Sequence, residues 1–128
     1  MPEIHVIFPP QGPAIVSHET QACVRERFVI WHIRSENPKI KHVLLEFKNP
    51  KDEFFSGSHR ILAEMNPYTK PRSRSPRRSH QMVWGQAPNL PRRLLRRRSK
   101  YTVFGKGSDG KTDVVSRLDP MILITKDN

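Results

Sequence analysis

The chain has 128 residues and carries 23 Lys+Arg against 12 Asp+Glu, a formal net charge of +11. The whole excess lies in residues 66–100, which hold eleven bases and no acid, while the remaining residues balance at twelve against twelve. That distribution excludes a uniformly basic protein of the histone or ribosomal-tail kind and points to a single near-neutral domain, residues 1–128, interrupted by a polybasic, low-complexity insertion at 66–100.

Short apolar runs of strand length recur between Pro and Gly clusters, and none has sustained 3.6-residue periodicity. Ile4 to Phe8 reads as a first strand, stopped by Pro9-Pro10 and Gly12-Pro13, with Ala14 to Val16 as a short edge strand. Residues 27–34 form the strongest strand: Phe28, Ile30 and His32 point one way and Val29, Trp31 and Ile33 the other. Apolar residues on both faces predict a central strand with material packed on each side. Ile40 to Phe47 alternates, with Val43, Leu45 and Phe47 on one face, and Arg60 to Met65 is a short strand or a helical turn. Beyond the basic window, 101–105 and 112–116 pair around a Gly107 to Gly110 hairpin loop, and Met121 to Thr125 is a last strand.

Six to eight strands with closely spaced turns predict an all-β fold, an immunoglobulin-like two-sheet antiparallel sandwich with a long Arg-rich inserted loop. The resemblance is one of architecture: Trp31 takes the place of the central packing residue, and no Cys pair flanks it. The lone Cys23 excludes a disulfide-stapled secreted class. With no signal-peptide pattern and no apolar run of membrane-spanning length, the chain is read as soluble and intracellular, with no membrane partner.

Within the window, Lys70 to Ser79 resembles the Arg/Ser-rich tracts of RNA-processing proteins over about ten residues, which implies an RNA contact. Met82 to Gly85 is an apolar island able to dock as an extra strand, and Pro91 to Arg98 can form two helical turns. Five prolines, no acids and strong self-repulsion predict a long mobile excursion. Its abrupt edges equally fit a locally shifted reading frame. The candidate polyanion-binding residues are Arg72, Arg74, Arg77, Arg78, Arg92, Arg93, Arg96, Arg97 and Arg98, with Trp84 as a stacking platform. RNA or DNA is the expected partner through residues 66–100. The alternative is a structural or protein-interaction domain that recruits another chain, or itself, through an edge strand such as 121–125, the basic loop being incidental.

No catalytic site, cofactor or metal site is expected. The six histidines lack metal-ligand spacing, although His32 and His42, on adjacent predicted strands, are placed to face each other. Cys23 beside Ala22 and Val24 reads as a buried hydrophobe, and the glycines of 105–110 read as a hairpin rather than a phosphate loop. Carboxylates are spread out, with Asp52-Glu53 the only adjacent pair.

Overall fold

The structure, a computed structural model, describes residues 1–67, 78–94 and 96–126, and of Arg92 only the backbone. Eleven strands occur in these residues: β1 (Glu3–Phe8), β2 (Ile15–Val16), β3 (Thr20–Val24), β4 (Phe28–Ser35), β5 (His42–Phe47), β6 (Arg60–Glu64), β7 (Asn66–Pro67), β8 (Ser79–Gln86), β9 (Arg97–Lys106), β10 (Asp113–Arg117) and β11 (Met121–Thr125). A single 3-10 turn spans Arg92–Leu94, and no helix among the described residues is long and apolar enough to cross a membrane.

The strands form two sheets, in the orders β2-β1-β4-β8-β7 and β3-β11-β9-β5-β6, with β10 also paired to β9. The sheets are mixed, which corrects the expectation of a wholly antiparallel sandwich. β1 runs parallel to β4 from Glu3↔Ile30 to Phe8↔Ser35, and β3 runs parallel to β11 from Thr20↔Met121 to Val24↔Thr125. The cause is a crossing at residues 17–19. Ser17 N–H still donates to His5 O in the first sheet, whereas Glu19 O already accepts from Met121 N–H in the second. Prolines 9, 10 and 13 limit where β2 can begin, and after Val16 the chain leaves the first sheet to re-enter it as β4.

β9 is the longest strand, and one of its flanks is divided. Its first residues pair with β11 and its last with β10, while β5 runs along the other flank from Tyr101 to Lys106. The break between β10 and β11 falls at Asp119, in the left-handed region at φ 66°, and Lys48 forms an ion pair with its carboxylate. Asp119 is thereby held below the usual carboxylate range, first by the hydrogen bond from Lys48.

The basic window does not form one continuous excursion. Its centre, residues 79–91, has no Lys or Arg, and residues 79–86 pair with β4 along the full eight-residue length of both strands, Phe28↔Gln86 to Ser35↔Ser79. Val83 and Gly85 point inward while Met82 and Trp84 point outward, the alternation of a strand with one face on the core. Residues 97–100 are likewise the start of β9.

Between the sheets lie Ile4, Val6 and Phe8 of β1, Val29, Trp31 and Ile33 of β4, Val43, Leu45 and Phe47 of β5, Tyr101 and Val103 of β9, and Ile122 and Ile124 of β11, all buried. Trp31 is fully enclosed, edge-on to Phe47 and Tyr101 of the facing sheet at centroid distances of 6.4 and 5.6 Å, and tilted against Phe55. Glycine makes room for these groups. A Cβ at Gly85 would meet Trp31 Cζ3 at 2.8 Å, and one at Gly105 would meet Ile40 Cδ1 at 2.6 Å and Phe8 Cε1 at 3.2 Å. The polar atoms of the ring cluster, Trp31 Nε1 and Tyr101 OH, are buried without a well-formed hydrogen bond. Burial pushes the Tyr101 phenol up to about 12, with the neighbouring Trp31 indole opposing.

Two substitutions separate ring packing from ring polarity. Trp31→Ala is expected to lower unfolding free energy by about 3–5 kcal/mol through the cavity it leaves. Tyr101→Phe removes an unpaired hydroxyl and keeps the ring, so its stability should stay within about 1 kcal/mol of the parent. Urea unfolding followed by circular dichroism measures both.

Candidate functional site

The outer face of the first sheet is open. Phe28, Ile30 and His32 of β4, Met82 and Trp84 of β8, and Glu3, His5 and Ile7 of β1 alternate with the core residues and point away from the second sheet. β4 is central within its sheet, as its composition implies, but among the described residues no layer covers its outer side. Phe28 and Trp84 are consequently 48% and 50% exposed, whereas Ile30 between them is only 6% exposed. The two aromatic rings meet edge to face at 6.2 Å. Beside them lies a groove of about 400 Å³ lined by Phe28, Trp84, Gln86, Asn89, Glu26 and Glu53.

The basic residues divide into two groups. Arg78 adjoins the start of β8, whereas Arg92 to Arg98 follow its end, and an eight-residue strand spans about 25 Å. Arg78 therefore sits at the end of the sandwich where β4 finishes. Arg78 is paired with Glu36 at 3.7 Å, and Arg72, Arg74 and Arg77 lie outside the described residues. The second group sits at the end where β4 begins. Arg93, Arg96 and Arg98 are exposed there, alongside the β3–β4 turn with Arg25 and Arg27. The turn is tied to this segment, since Arg25 Nη1 donates to Leu90 O and Ala87 N–H donates to Arg27 O, and Arg96 N–H anchors the segment to β11 by donating to Ile124 O. Trp84, Phe28 and the second arginine group thus share one end of the sandwich.

Arg97 is not part of that exposed group. It faces the interior, with Nε 3.0 Å from Oδ1 of Asp52, whose side chain is 3% exposed. Burial pushes the Asp52 carboxyl up, and the Arg97 charge partly pulls it back. Asp52 is on a turn, where nothing in the local sequence marks it as buried.

Two further sequence expectations are corrected. His32 and His42 are in different sheets: His42 Nδ1 lies 3.0 Å from Gly107 O, and His32 is paired in register with His5 of β1. These two rings stack at 4.9 Å and 15°, and His32 Nε2 lies 3.2 Å from Glu3 Oε1. The only local signal for this cluster was Glu3 and His5, two apart on one strand face. Residues 121–125 are not an edge, because β11 lies between β3 and β9. The free edge on that side is β3, which the sequence did not mark as a strand.

Cys23 is buried, and desolvation raises its thiol, which leaves it little thiolate character. The Gly105 to Gly110 segment closes the β9–β10 hairpin. At its tip Asp109 accepts hydrogen bonds from Thr112 Oγ1 and from the Thr112 and Lys111 N–H groups, which hold it below the usual carboxylate range. An ionised carboxylate at the centre of this loop is the opposite of a phosphate cradle.

Comparison of the chain with protein families, with characterised proteins and with solved structures finds no match.

Breaking the Arg97–Asp52 pair is expected to be costly, because Arg97→Ala leaves a buried carboxylate without its counter-charge, at about 3 kcal/mol. A raised carboxyl pKa means that the folded chain holds the proton more tightly than the unfolded one. Ionised Asp52 therefore penalises the fold above its folded pKa, and the penalty disappears as pH falls below the unfolded value. The stability deficit of Arg97→Ala should accordingly be full at neutral pH and shrink on acidification, as read from urea midpoints of variant and parent across pH.

Proposed function

We propose that the protein is an intracellular, non-catalytic, immunoglobulin-like binding module that contacts single-stranded RNA or DNA at the end of the sandwich where β4 begins. The observation that carries this reading is the coincidence of two half-exposed rings, Trp84 and Phe28, with the exposed Arg27, Arg93 and Arg96. Single-stranded nucleic acid is held by this combination: aromatic faces stack on unpaired bases, and arginines hold the phosphates with forked contacts. Glu26 and Glu53 in the adjoining groove repel phosphate, so the backbone of the ligand runs on the arginine side of the rings. Base stacking without edge readout makes the binding tolerant of sequence.

A second reading rests on β3. Thr20–Val24 is an uncharged five-residue strand hydrogen-bonded to a neighbour on one side only, and such an edge accepts a strand from another chain. A dimer that persists at high salt in sedimentation analysis favours this reading over the first.

Deleting residues 66–100 is not a usable test of nucleic-acid binding, because it removes β8 and the start of β9. Point substitutions leave the strands in place. Trp84→Ala is expected to weaken binding of a labelled single-stranded oligonucleotide by about 1–3 kcal/mol per stacked base. Replacing Arg27, Arg93 and Arg96 together by Gln should flatten the slope of log K against log[salt] by about 2, at roughly 0.7 per lost phosphate contact. Fluorescence anisotropy over a salt series reads both. Unchanged binding in both variants would refute the assignment.

A further inference from the structure

We propose that Glu3, His5 and His32 form a binding site for a divalent first-row transition ion of the zinc and copper class, on the β1 side of the open sheet face. The nucleic-acid reading uses none of these three residues, so the two assignments stand or fall separately.

Register creates the cluster. In the parallel β1·β4 pair His5 stands opposite His32, and Glu3, two residues earlier on β1, points to the same side. One donor atom from each residue lies within 4.8 Å of the other two. Donors on a tetrahedral zinc ion lie roughly 3.3 Å apart at bond lengths of about 2.0–2.1 Å, so closure requires the stacked rings of His5 and His32 to turn out of parallel until their nitrogen lone pairs converge, and the exposed His5 has the freedom to do so. Part of it is already in place, since His32 Nε2 and Glu3 Oε1 are 3.2 Å apart.

The donor set selects the ion. Two imidazoles and one carboxylate match the three protein ligands of open zinc sites and suit zinc, nickel and copper, whereas magnesium and calcium require oxygen donors. The surroundings point the same way. Arg34, two residues beyond His32 on the same strand face, places positive charge nearby, which disfavours an ion held by charge alone. Ile30 and Trp84 flank the cluster on one side, and Met82 stands opposite His32 as a thioether suited to copper. The remaining coordination positions face solvent, which leaves them open to water or to a donor from a bound partner.

The test is calorimetric titration of the untagged full chain with Zn²⁺, with Mg²⁺ as the comparison ion. One Zn²⁺ per chain is expected, with no saturable heat from Mg²⁺. His5→Ala and His32→Ala should each weaken Zn²⁺ binding roughly tenfold or more, Glu3→Gln should weaken it less, and His59→Ala should leave it unchanged. Thermal melts establish that each variant is folded. Should His32→Ala fail to fold, His5→Ala and Glu3→Gln, both on exposed side chains, decide the matter. Cu²⁺ should additionally quench Trp84 fluorescence, and this quenching should be lost in His5→Ala. Absence of saturable Zn²⁺ binding by the folded parent, or binding undiminished in folded His5→Ala and Glu3→Gln, would overturn the assignment.

Discussion

The space between the two sheets is set by Trp31. Packed sheets lie about 10 Å apart, and an indole standing between them needs short side chains nearby. Gly85 supplies the room beside the indole and Gly105 the room for Ile40 and Phe8, while Phe47, Phe55 and Tyr101 close around the ring. With the rings of Phe8, Trp31, Phe47, Phe54, Phe55 and Tyr101 and the aliphatic residues of β1, β4, β5, β8, β9 and β11 sharing this layer, few polar groups are admitted. Asp52 with Arg97 sits at its margin. The other charged side chains among the described residues are left to an outer face or to an end of the sandwich.

Most strands were legible in the sequence because their alternation was strong. Residues 4–8, 27–34, 40–47, 101–105, 112–116 and 121–125 are all strand, with shifts at the ends. β3 was not legible, since Thr-Gln-Ala-Cys-Val has no large apolar residue to mark its inner face. β8 was legible only at its centre: Met82 to Gly85 read as an apolar island able to dock as an extra strand, while its full extent was masked by the Arg-rich residues on either side, which set the composition of the whole window. Parallel pairing could not be read either, because it depends on where the chain crosses between sheets, and that crossing at 17–19 is polar, short and free of any distinctive motif.

The site was legible by residue type more than by position. Trp84 stood out as an aromatic residue among bases, and the structure leaves it exposed. Which arginines face solvent depends on the phase of β9. Arg97 and Arg98 are consecutive, yet the pleat turns one toward Asp52 and the other outward. The histidine and carboxylate cluster required knowledge of a parallel register that no local pattern supplies. His42, which sequence order paired with His32, belongs to the opposite sheet.

The separation of the basic residues by the length of β8 has a consequence for encounter with a polyanion. A molecule with one charged end experiences a torque that turns it toward an approaching ligand of opposite sign. When like charges sit at both ends, the torque largely cancels while the attraction remains. The electrostatics of this chain can therefore raise the frequency of collision without choosing which end collides. Orientation falls to short-range shape, and among the described residues the exposed rings of Phe28 and Trp84 distinguish one end from the other.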